Sequence, residues 1–405
     1  MKINLIRYQN SMDPNAPYLK DSEAFIEDIN NELFDEDYEL VENASESPLN
    51  VIFIETGGSE QSFVKDYEKF AQPVVLISHC KNNSLPACLE ISTFLDSKNI
   101  ESIMLFGEAK QVAGGLLRLS KVMLAKKVID GANLGVIGAP SDWLIASRVD
   151  YQEVKDKFNI NLIDISTDEL KAEIEKDLLP NIPRKAELEK CTFDSKVLQG
   201  AFKIYSGIKR IVEKYHLQGF TLRCFDLLTE YKNTSCLAFA LLNEEGIVAS
   251  CEGDVPSLLT MFMVKAVTSS SSFMANPSYI SIEDSSILFA HCTVPFNMCK
   301  KYQLMTHFES DLGIGIRGEL KAQNVTVVKI RPDLNGYLLA NGEIKENLTL
   351  HNYCRTQIKV EFDYMEFIQF MREKFGNHVI IAYGDISNEL LALFEVYKIG
   401  KKEEN

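Results

Sequence analysis

Residues 251–295 read CEGDVPSLLTMFMVKAVTSSSSFMANPSYISIEDSSILFAHCTVP, and the character of the chain changes within this stretch. A short apolar strand ends at Glu252, and Asp254 followed by a valine and a proline signals the start of a helix. Serines 269–272 come next, then the small-residue turn FMANP, and then an apolar strand that presents His291. We therefore predict that an α/β architecture ends in this stretch and that a β-rich region begins.

The chain before this stretch alternates short apolar runs with amphipathic helical patterns. KINLIRYQ, VIFIET, PVVLIS and SIMLFG form a first series of strands, and ANLGVIG, NINLIDIS, FTLRCF and IVASCE form a second. Continuous apolar strands separated by helices are typical of a parallel sheet covered on both faces. We predict two Rossmann-like doubly wound α/β domains, residues 1–130 and 131–268. No G-x-G-x-x-G follows the first strand, so a dinucleotide site is not supported.

The chain after this stretch is rich in strand patterns. SILFAHCTV, YQLMTHF, VTVVKIR, GYLLAN and TQIKVEF lie close together with Gly, Asn and Asp between them, which favours an antiparallel barrel or sandwich. Helical patterns follow near the end of the chain. The predicted fold class is thus α/β, with two Rossmann-like doubly wound α/β domains followed by a C-terminal β-rich, barrel-like domain with terminal helices, residues 269–405.

Composition excludes several classes of function. The chain has 405 residues, of which 46% are hydrophobic and 25% charged, with a formal net charge of −16. Nucleic acids and anionic membranes need clustered Lys and Arg, so we expect neither as a partner. No apolar stretch approaches the length of a membrane span, and the opening MKINLIRYQN does not resemble a secretory signal. The nine cysteines are scattered without C-x-x-C spacing, so we expect reduced thiols and a cytoplasmic location.

Several carboxylate and imidazole side chains lie at predicted strand and loop ends. Glu252 ends a strand, and such residues face the ligand-binding crevice of an open α/β sheet. His291 lies in an apolar strand, and His378 begins one after a Gly-Asn turn. Carboxylate oxygen and imidazole nitrogen together can chelate a divalent ion. The alternatives are that Glu252 and Asp254 cap a helix, and that the histidines are satisfied core residues.

The order of these parts resembles the L-fucose isomerase and L-arabinose isomerase families. In those families a Glu-Gly-Asp turn, a turn with an acid after Phe-Met or Phe-Ala, and a Ser/Ala-His strand line one metal site; here the matching parts are EGD, FMAN and AH. Further segments resemble the smaller fucose isomerase-like proteins more closely than these two families, namely TGGSEQSF, NNSLPACLE, VIGAPSDWLIAS, HFESDLGIGIRG and CRTQIKVE, so the resemblance extends over nearly the whole chain. It implies a divalent metal, manganese by preference, held by Glu252, Asn276, His291 and His378. It also implies a sugar substrate and a homo-oligomer, a hexamer or a trimer-based assembly.

Four further residues are candidates for contact with a sugar. Asp142 and Trp143 lie in SDWL, where they would bind hydroxyl groups and stack on a sugar face. A core tryptophan with a helix-capping aspartate is the alternative. Arg355, in CRTQ, would pair with a carboxylate or a substrate oxygen, or else form a structural ion pair. His307, in THFES, has a supporting role.

Asn276 departs from the family pattern, because the families place an acid at this position. An asparagine can coordinate a metal through its carbonyl oxygen, but it brings no charge and cannot take up a proton. Aldose–ketose isomerisation through an ene-diol needs groups that move a proton between C2 and C1. With Glu252 as one catalytic residue, Asp254, Glu283 or Asp284 would have to fill the vacant role.

These sequence features bear on three possible functions. The leading hypothesis is a metal-dependent aldose–ketose isomerase acting on a fucose- or arabinose-like sugar. The alternative is a catalytically weakened homologue that binds a sugar without efficient turnover, which Asn276 motivates. A periplasmic-type sugar-binding protein of two α/β lobes is disfavoured, because it would leave the β-rich region unexplained.

Overall fold

The structure is a computed structural model that describes residues 1–10 and 17–400, and the chain divides into two compact units, Met1–Leu124 and Ala125–Asn405. The strands of the first unit are β1 (Lys2–Tyr8), β2 (Glu39–Glu42), β3 (Asn50–Ile54), β4 (Val74–Ser78) and β5 (Ser102–Phe106). The helices in this part of the chain are α1 (Pro17–Phe34), α2 (Glu60–Val64), α3 (Ser84–Ser97) and α4 (Ala109–Ile129).

The second unit contains a short α/β series followed by most of the strands. Its strands are β6 (Asn133–Ile137), β7 (Asn161–Ile165), β8 (Gly219–Leu222), β9 (Val248–Cys251), β10 (Phe273–Ser281), β11 (Ser286–His291), β12 (Cys299–Met305), β13 (Gly315–Leu320), β14 (Asn324–Ile330), β15 (Tyr337–Asn347), β16 (Thr356–Phe362) and β17 (Val379–Tyr383). Its helices are α5 (Tyr151–Phe158), α6 (Thr167–Ile174), α7 (Lys185–Leu188), α8 (Ser195–Lys214), α9 (Phe225–Tyr231), α10 (Cys236–Glu244), α11 (Val255–Thr268), α12 (Tyr364–Arg372) and α13 (Ser387–Val396).

The first unit is a parallel sheet in the order β2-β1-β3-β4-β5. Successive side chains of a strand point to opposite faces, and both faces of β3 are apolar. Val51 and Phe53 enter a core with residues of α1 and α4, whereas Ile52 and Ile54 enter a second core with residues of α2 and α3. The continuous apolar run of β3 therefore reflects a sheet covered on both faces.

The second unit begins with another parallel sheet, in the order β7-β6-β8-β9. Among the helices of this part, α8 has its first turn capped by Asp194, whose side chain accepts hydrogen bonds from the backbone of Lys196 and Val197. The sheet ends at β9, and the carboxyl ends of its four parallel strands share one edge.

Six strands of the second unit form a closed antiparallel barrel in the order β10-β11-β16-β15-β14-β17. Parallel sheets together with this barrel agree with the predicted α/β-plus-barrel fold, while the division into three domains stays a prediction. The segment YQLMTHF, grouped with the barrel strands from its sequence, instead supplies β12, which pairs with β13 in a separate two-stranded sheet.

The FMANP segment corrects one prediction from the sequence. It was expected to be a turn, but it forms the first half of β10. Phe273, Met274 and Ala275 are buried and pair with β17 of the barrel. A buried backbone must satisfy its polar groups, and pairing within the barrel does so where a turn would leave them unpaired.

Helix α11 connects the sheet to the barrel. It follows β9 directly and packs against β8 and β9 on one side and against β14 and β17 on the other. Its residues 255–264 are all buried, as expected for a helix enclosed between two layers. The turn between β9 and α11 therefore lies where the parallel sheet meets the barrel.

Within the described ranges, 1–10 and 17–400, no helix is long and apolar enough to cross a membrane. The nine cysteines are all free thiols.

We predict that the turn after β9 will not accept a side chain at Gly253. Its φ is +74°, and an added Cβ would lie 2.5 Å from the carbonyl oxygen of Ala139. Gly253→Ala should lower the free energy of unfolding by about 2–4 kcal/mol, from the left-handed backbone and from overpacking. Chemical denaturation measures the effect.

Gly131 is the matched control, because its φ is also +74° and no atom lies within 4 Å of an added Cβ. Gly131→Ala should cost only the backbone contribution, about 1–2 kcal/mol. Equal losses for the two variants would contradict a steric requirement at Gly253.

Candidate metal centre

The turn that ends β9 projects Glu252 away from the sheet edge. Glu252 has a φ of +63° and Gly253 a φ of +74°, so two successive residues adopt the left-handed conformation. This conformation is unusual for a glutamate and costs about 1–2 kcal/mol. Asp254 then caps α11 by accepting a hydrogen bond from the backbone N–H of Ser257, at 2.8 Å.

Glu252, His291 and His378 converge at this point, although they come from three distant segments. Ligand atoms of all three lie within 4.8 Å of one another. Oε1 of Glu252 is 3.9 Å from Nε2 of His291 and 3.5 Å from Nε2 of His378. His291 is the last residue of β11, and His378 immediately precedes β17. The convergence expected from the sequence is thus present in the fold.

Both imidazole rings are oriented by contacts at their other nitrogen. Nδ1 of His291 lies 3.0 Å from Oγ1 of Thr293, and Nδ1 of His378 lies 2.8 Å from Oδ2 of Asp254. Nε2 of each ring consequently faces Glu252. Metal-binding histidines are commonly held in this way by a partner at the second nitrogen, which sets the tautomer and the direction of the free nitrogen.

These residues fit a divalent cation. Nε2 of His378 is buried and has no hydrogen-bond partner, because its 3.5 Å approach to Glu252 lacks hydrogen-bond geometry. A buried polar atom without a partner is destabilising, and a cation bound between the two histidines and the glutamate would satisfy it. One carboxylate and two imidazoles form a donor set found in divalent-metal sites.

The charges of the cluster are strongly coupled. Burial raises the pKa of Glu252, but the two histidines outweigh it and hold this pKa well below its usual range. Burial lowers the pKa of His378, yet the neighbouring carboxylates of Asp254 and Glu252 raise it overall. An anionic glutamate beside two imidazoles is the charge arrangement that a dication binds.

The remaining oxygen of Glu252 is held by Trp143. The indole Nε1–H donates to Oε2 at 2.8 Å, while Oε1 faces the histidines. Trp143 is 53% exposed and packs edge to face on Phe225 at 4.9 Å between ring centroids. The only tryptophan of the chain therefore orients the carboxylate and leaves a ring surface open to a ligand.

Two residues of the cluster, Glu252 and His291, line a cavity of about 590 Å³, whereas His378 is fully buried behind them. The wall combines aromatic, thiol, amide and hydroxyl groups, among them Trp143, Phe225, Phe308, Tyr353, Asn276, Asn377, Thr234 and Ser278. Five cysteines contribute to it, namely Cys224, Cys236, Cys251, Cys292 and Cys354. A cavity with an apolar face and a few convergent polar groups suits a small polyhydroxylated molecule.

Besides Glu252 and His291, three residues expected at the site line the cavity. They are Asn276, Trp143 and His307. Nδ2 of Asn276 donates to Oδ1 of Asn377 at 2.9 Å. Nδ1 of His307 lies 3.1 Å from Oγ of Ser310, and burial lowers the pKa of this histidine.

Four expected site residues are absent from the cavity wall, namely His378, Asp142, Arg355 and Asp254. Asp142 is exposed and forms a two-oxygen ion pair with Arg223. Arg355 donates from Nε to the carbonyl oxygen of Thr306 at 2.7 Å and forms an ion pair with Asp311 at 3.6 Å. Asp254 is buried behind His378 and contacts Lys329.

The sequence did not point to Glu309 or Lys329. Glu309 lines the cavity two residues after His307. In this segment only the histidine had been predicted as a site residue. Lys329 occupies an apolar strand pattern, VTVVKIR, and is 1% exposed. A lone lysine within a buried strand was the available signal, because a buried lysine needs a buried acid as its partner.

No family model matches the chain. The chain is similar to proteins named sulfoquinovose isomerase. It is 22% identical over 386 residues to one from Alkalicoccus urumqiensis, covering 89% of this chain and 87% of that protein. It is 23% identical over 367 residues to one from Priestia aryabhattai, covering 84% and 81%. A third, from Clostridium sp. (strain MSTE9), is 23% identical over 209 residues, covering 49% and 46%.

We predict that manganese stabilises the protein through this cluster. At a free concentration 100 times the dissociation constant, bound Mn²⁺ should add about 2.7 kcal/mol to the free energy of unfolding. A thermal melt with and without Mn²⁺ measures the shift. His291→Ala should abolish it, whereas the exposed His351→Ala should retain it. A shift that survives His291→Ala would exclude the cluster as the binding site.

Proposed function

We propose that this protein is a metal-dependent aldose–ketose isomerase of carbohydrate metabolism. The observation that carries the proposal is the cluster of Glu252, His291 and His378, two of which, Glu252 and His291, line a 590 Å³ cavity. Similarity to sulfoquinovose isomerases over most of the chain supports the same reaction class. Manganese is the proposed ion because the resemblance to the isomerase families implies it, and carboxylate and carbonyl oxygens suit it.

Glu252, His291 and His378 would hold the ion, with the carbonyl oxygen of Asn276 as a further proposed ligand. A divalent ion bound there supplies Lewis-acid polarisation of the sugar oxygens at C1 and C2. Trp143 keeps the Glu252 carboxylate oriented through its 2.8 Å hydrogen bond. The exposed ring of Trp143 offers a surface on which the C–H face of a sugar can stack.

Isomerisation also requires a group that moves a proton between C2 and C1. Asp254, Glu283 and Asp284, considered from the sequence, are not among the residues of the cavity wall. His307 and Glu309 are, and they are the imidazole and carboxylate groups there outside the cluster. Burial lowers the pKa of His307, which favours the neutral imidazole, the form that can accept a proton.

We propose a neutral aldose of the fucose or arabinose kind as the substrate. The residues described along the cavity wall include no lysine or arginine, whereas Glu252 and Glu309 bring negative charge. A sulfonate or phosphate held there without a cationic partner would be desolvated at a large cost. Apolar groups such as Phe225 and the cysteines suit the C–H face of a neutral sugar.

Asn276 supports a second candidate, a weakened homologue that binds a sugar without efficient turnover. It lines the cavity but provides an amide where the resembled families have a carboxylate. Substrate binding by Asp142 and Arg355 remains a proposal, and in the structure they contact Arg223 and Thr306. We also propose a homo-oligomer, hexameric or trimer-based, which follows from the resemblance. A cytoplasmic location is proposed from the reduced cysteines.

A sugar panel with added Mn²⁺ tests the reaction class. We expect at least one neutral aldose to be converted to its ketose, with little conversion of sulfoquinovose or glucose 6-phosphate. In D₂O, an ene-diol would take up deuterium from the solvent at C1 of the product. Proton magnetic resonance should show this uptake as a loss of signal from the C1 protons. Preferred turnover of sulfoquinovose would contradict the proposed neutral substrate but would still support the isomerase reaction. Sugar binding without any turnover would favour the weakened homologue.

We also predict that Asn276→Asp raises manganese affinity or turnover. The variant adds an anionic ligand for a hard cation and a group able to exchange a proton. One such group is worth about 10²–10⁴ in rate. Titration with Mn²⁺ and an isomerisation assay measure both quantities.

Asn352→Asp is the matched control, because Asn352 also lines the cavity. It places a charge in the same cavity at a position not expected to bind the metal. Equal effects of the two variants would indicate a general charge effect. No gain from Asn276→Asp in either quantity, with the fold intact, would mean that Asn276 does not limit the site.

A further inference from the structure

A buried chain of contacts extends from the candidate metal centre to Lys329. Nζ of Lys329, on β14, lies 3.1 Å from both carboxylate oxygens of Asp254. It also donates to Oγ of Ser257. Oδ2 of Asp254 then accepts from Nδ1 of His378 at 2.8 Å. Lys329 is 1% exposed, and Asp254 and His378 are fully buried.

Every partner of the Asp254 side chain is a hydrogen-bond donor. The Lys329 ammonium and the backbone N–H of Ser257 can only donate. The Lys329 ammonium contacts both oxygens of this fully buried carboxylate, and the pairing favours its ionised form. An ionised carboxylate accepts only, and His378 must therefore carry its proton on Nδ1.

The tautomer decides what His378 can bind. With the proton on Nδ1, Nε2 presents its lone pair toward Glu252, and this nitrogen is the one without a hydrogen-bond partner. With the proton on Nε2, the ring would direct an N–H into the cluster and could not act as a ligand there. The state of Asp254 consequently controls whether His378 is a ligand.

Lys329 supplies the positive charge that balances Asp254. An unpaired carboxylate in a fully buried position takes up a proton or reorients, since burial without a partner is very unfavourable. Either change would remove the requirement for the Nδ1–H tautomer. Lys329 touches neither the cluster nor the cavity wall, so its effect reaches the site only through Asp254.

We infer that Lys329 is a positioning residue of the metal centre: through Asp254 it holds His378 with Nδ1 protonated and Nε2 free to bind a cation. The inference rests on the metal site of the proposed function. It also states something independent of metal binding, the tautomer of one buried histidine, and this can be measured in the metal-free protein.

Asp254→Asn provides the sharpest test, because it keeps the size of the side chain. Lys329 and the N–H of Ser257 should attract the amide oxygen, which turns the amide NH₂ toward His378. The proton of His378 should then move to Nε2. Nitrogen-15 magnetic resonance of the imidazole, at a pH where the ring is neutral, reads the tautomer directly. The His378 signals are assigned by their loss in His378→Gln.

The same variants should weaken metal binding. Loss of a residue that orients a metal-binding histidine typically lowers affinity about 10–100-fold. We expect a decrease of this size in Mn²⁺ affinity, measured by titration calorimetry, for Asp254→Asn and for Lys329→Met. Lys265→Met is the control, because Lys265 lies on α11, is partly buried, and donates only to the carbonyl oxygen of Gly246.

The double variant Asp254→Asn with Lys329→Met separates positioning from stability. It leaves no buried charge unpaired, so it should be more stable than Lys329→Met alone. Its Mn²⁺ affinity should nevertheless stay reduced. If the single variants do not fold, the double variant still tests the inference.

Two results would overturn the inference. One is a His378 tautomer that does not depend on Asp254. In that case the ring would carry its proton on Nδ1 in the parent, in folded Asp254→Asn and in the double variant alike. The other is parental Mn²⁺ affinity in folded Lys329→Met or in the double variant, which would make Lys329 purely structural. A parent that binds no Mn²⁺ would contradict the proposed metal site, and the tautomer measurement would then decide the inference alone.

Discussion

The carboxylate of Asp254 is the contact on which the centre of the second unit depends. It caps α11, balances the charge of Lys329 on β14 and accepts from His378 beside β17. Burial raises the pKa of Asp254, but Lys329 and His378 outweigh it and hold this pKa well below its usual range. Burial also lowers the pKa of Lys329, and Asp254 offsets only part of that effect. Each group is stable in the interior because of the other.

This arrangement places the candidate metal centre on rigid elements. Glu252 follows β9, which pairs with β8 at the edge of its sheet, while His291 ends β11 and His378 precedes β17, two strands paired within the barrel. The left-handed turn at Glu252 costs free energy, and the buried cap of α11 immediately after it offsets that cost. A ligand set held in this way needs little reorganisation when a cation binds.

The environment around the cluster distinguishes the cavity from a general anion site. Its wall contains thiols, aromatic rings and amides, and its carboxylates come from Glu252 and Glu309. Two basic residues near the cavity, Arg355 and Lys329, have protein partners of their own. Arg355 is bound to Thr306, and Lys329 is bound to Asp254. Among the described residues, the cavity wall itself therefore contains no lysine or arginine, and this is the basis on which we propose a neutral aldose.

The sequence by itself determined the parts whose signal is local. Apolar runs such as VIFIET predicted parallel strands, and the EGD turn with its following proline predicted a strand end and a capped helix. The AH strand and the Gly-Asn turn identified His291 and His378 as candidates. The tertiary structure decided everything that depends on long-range pairing. It made FMANP a barrel strand, because β17 offered partners for its buried backbone. It paired Asp142 with Arg223, brought Glu309 to the cavity, and placed Lys329 against Asp254, 75 positions away in the chain. Hydrogen bonds and ion pairs between distant residues leave no periodic pattern in a sequence, so only the fold reveals them.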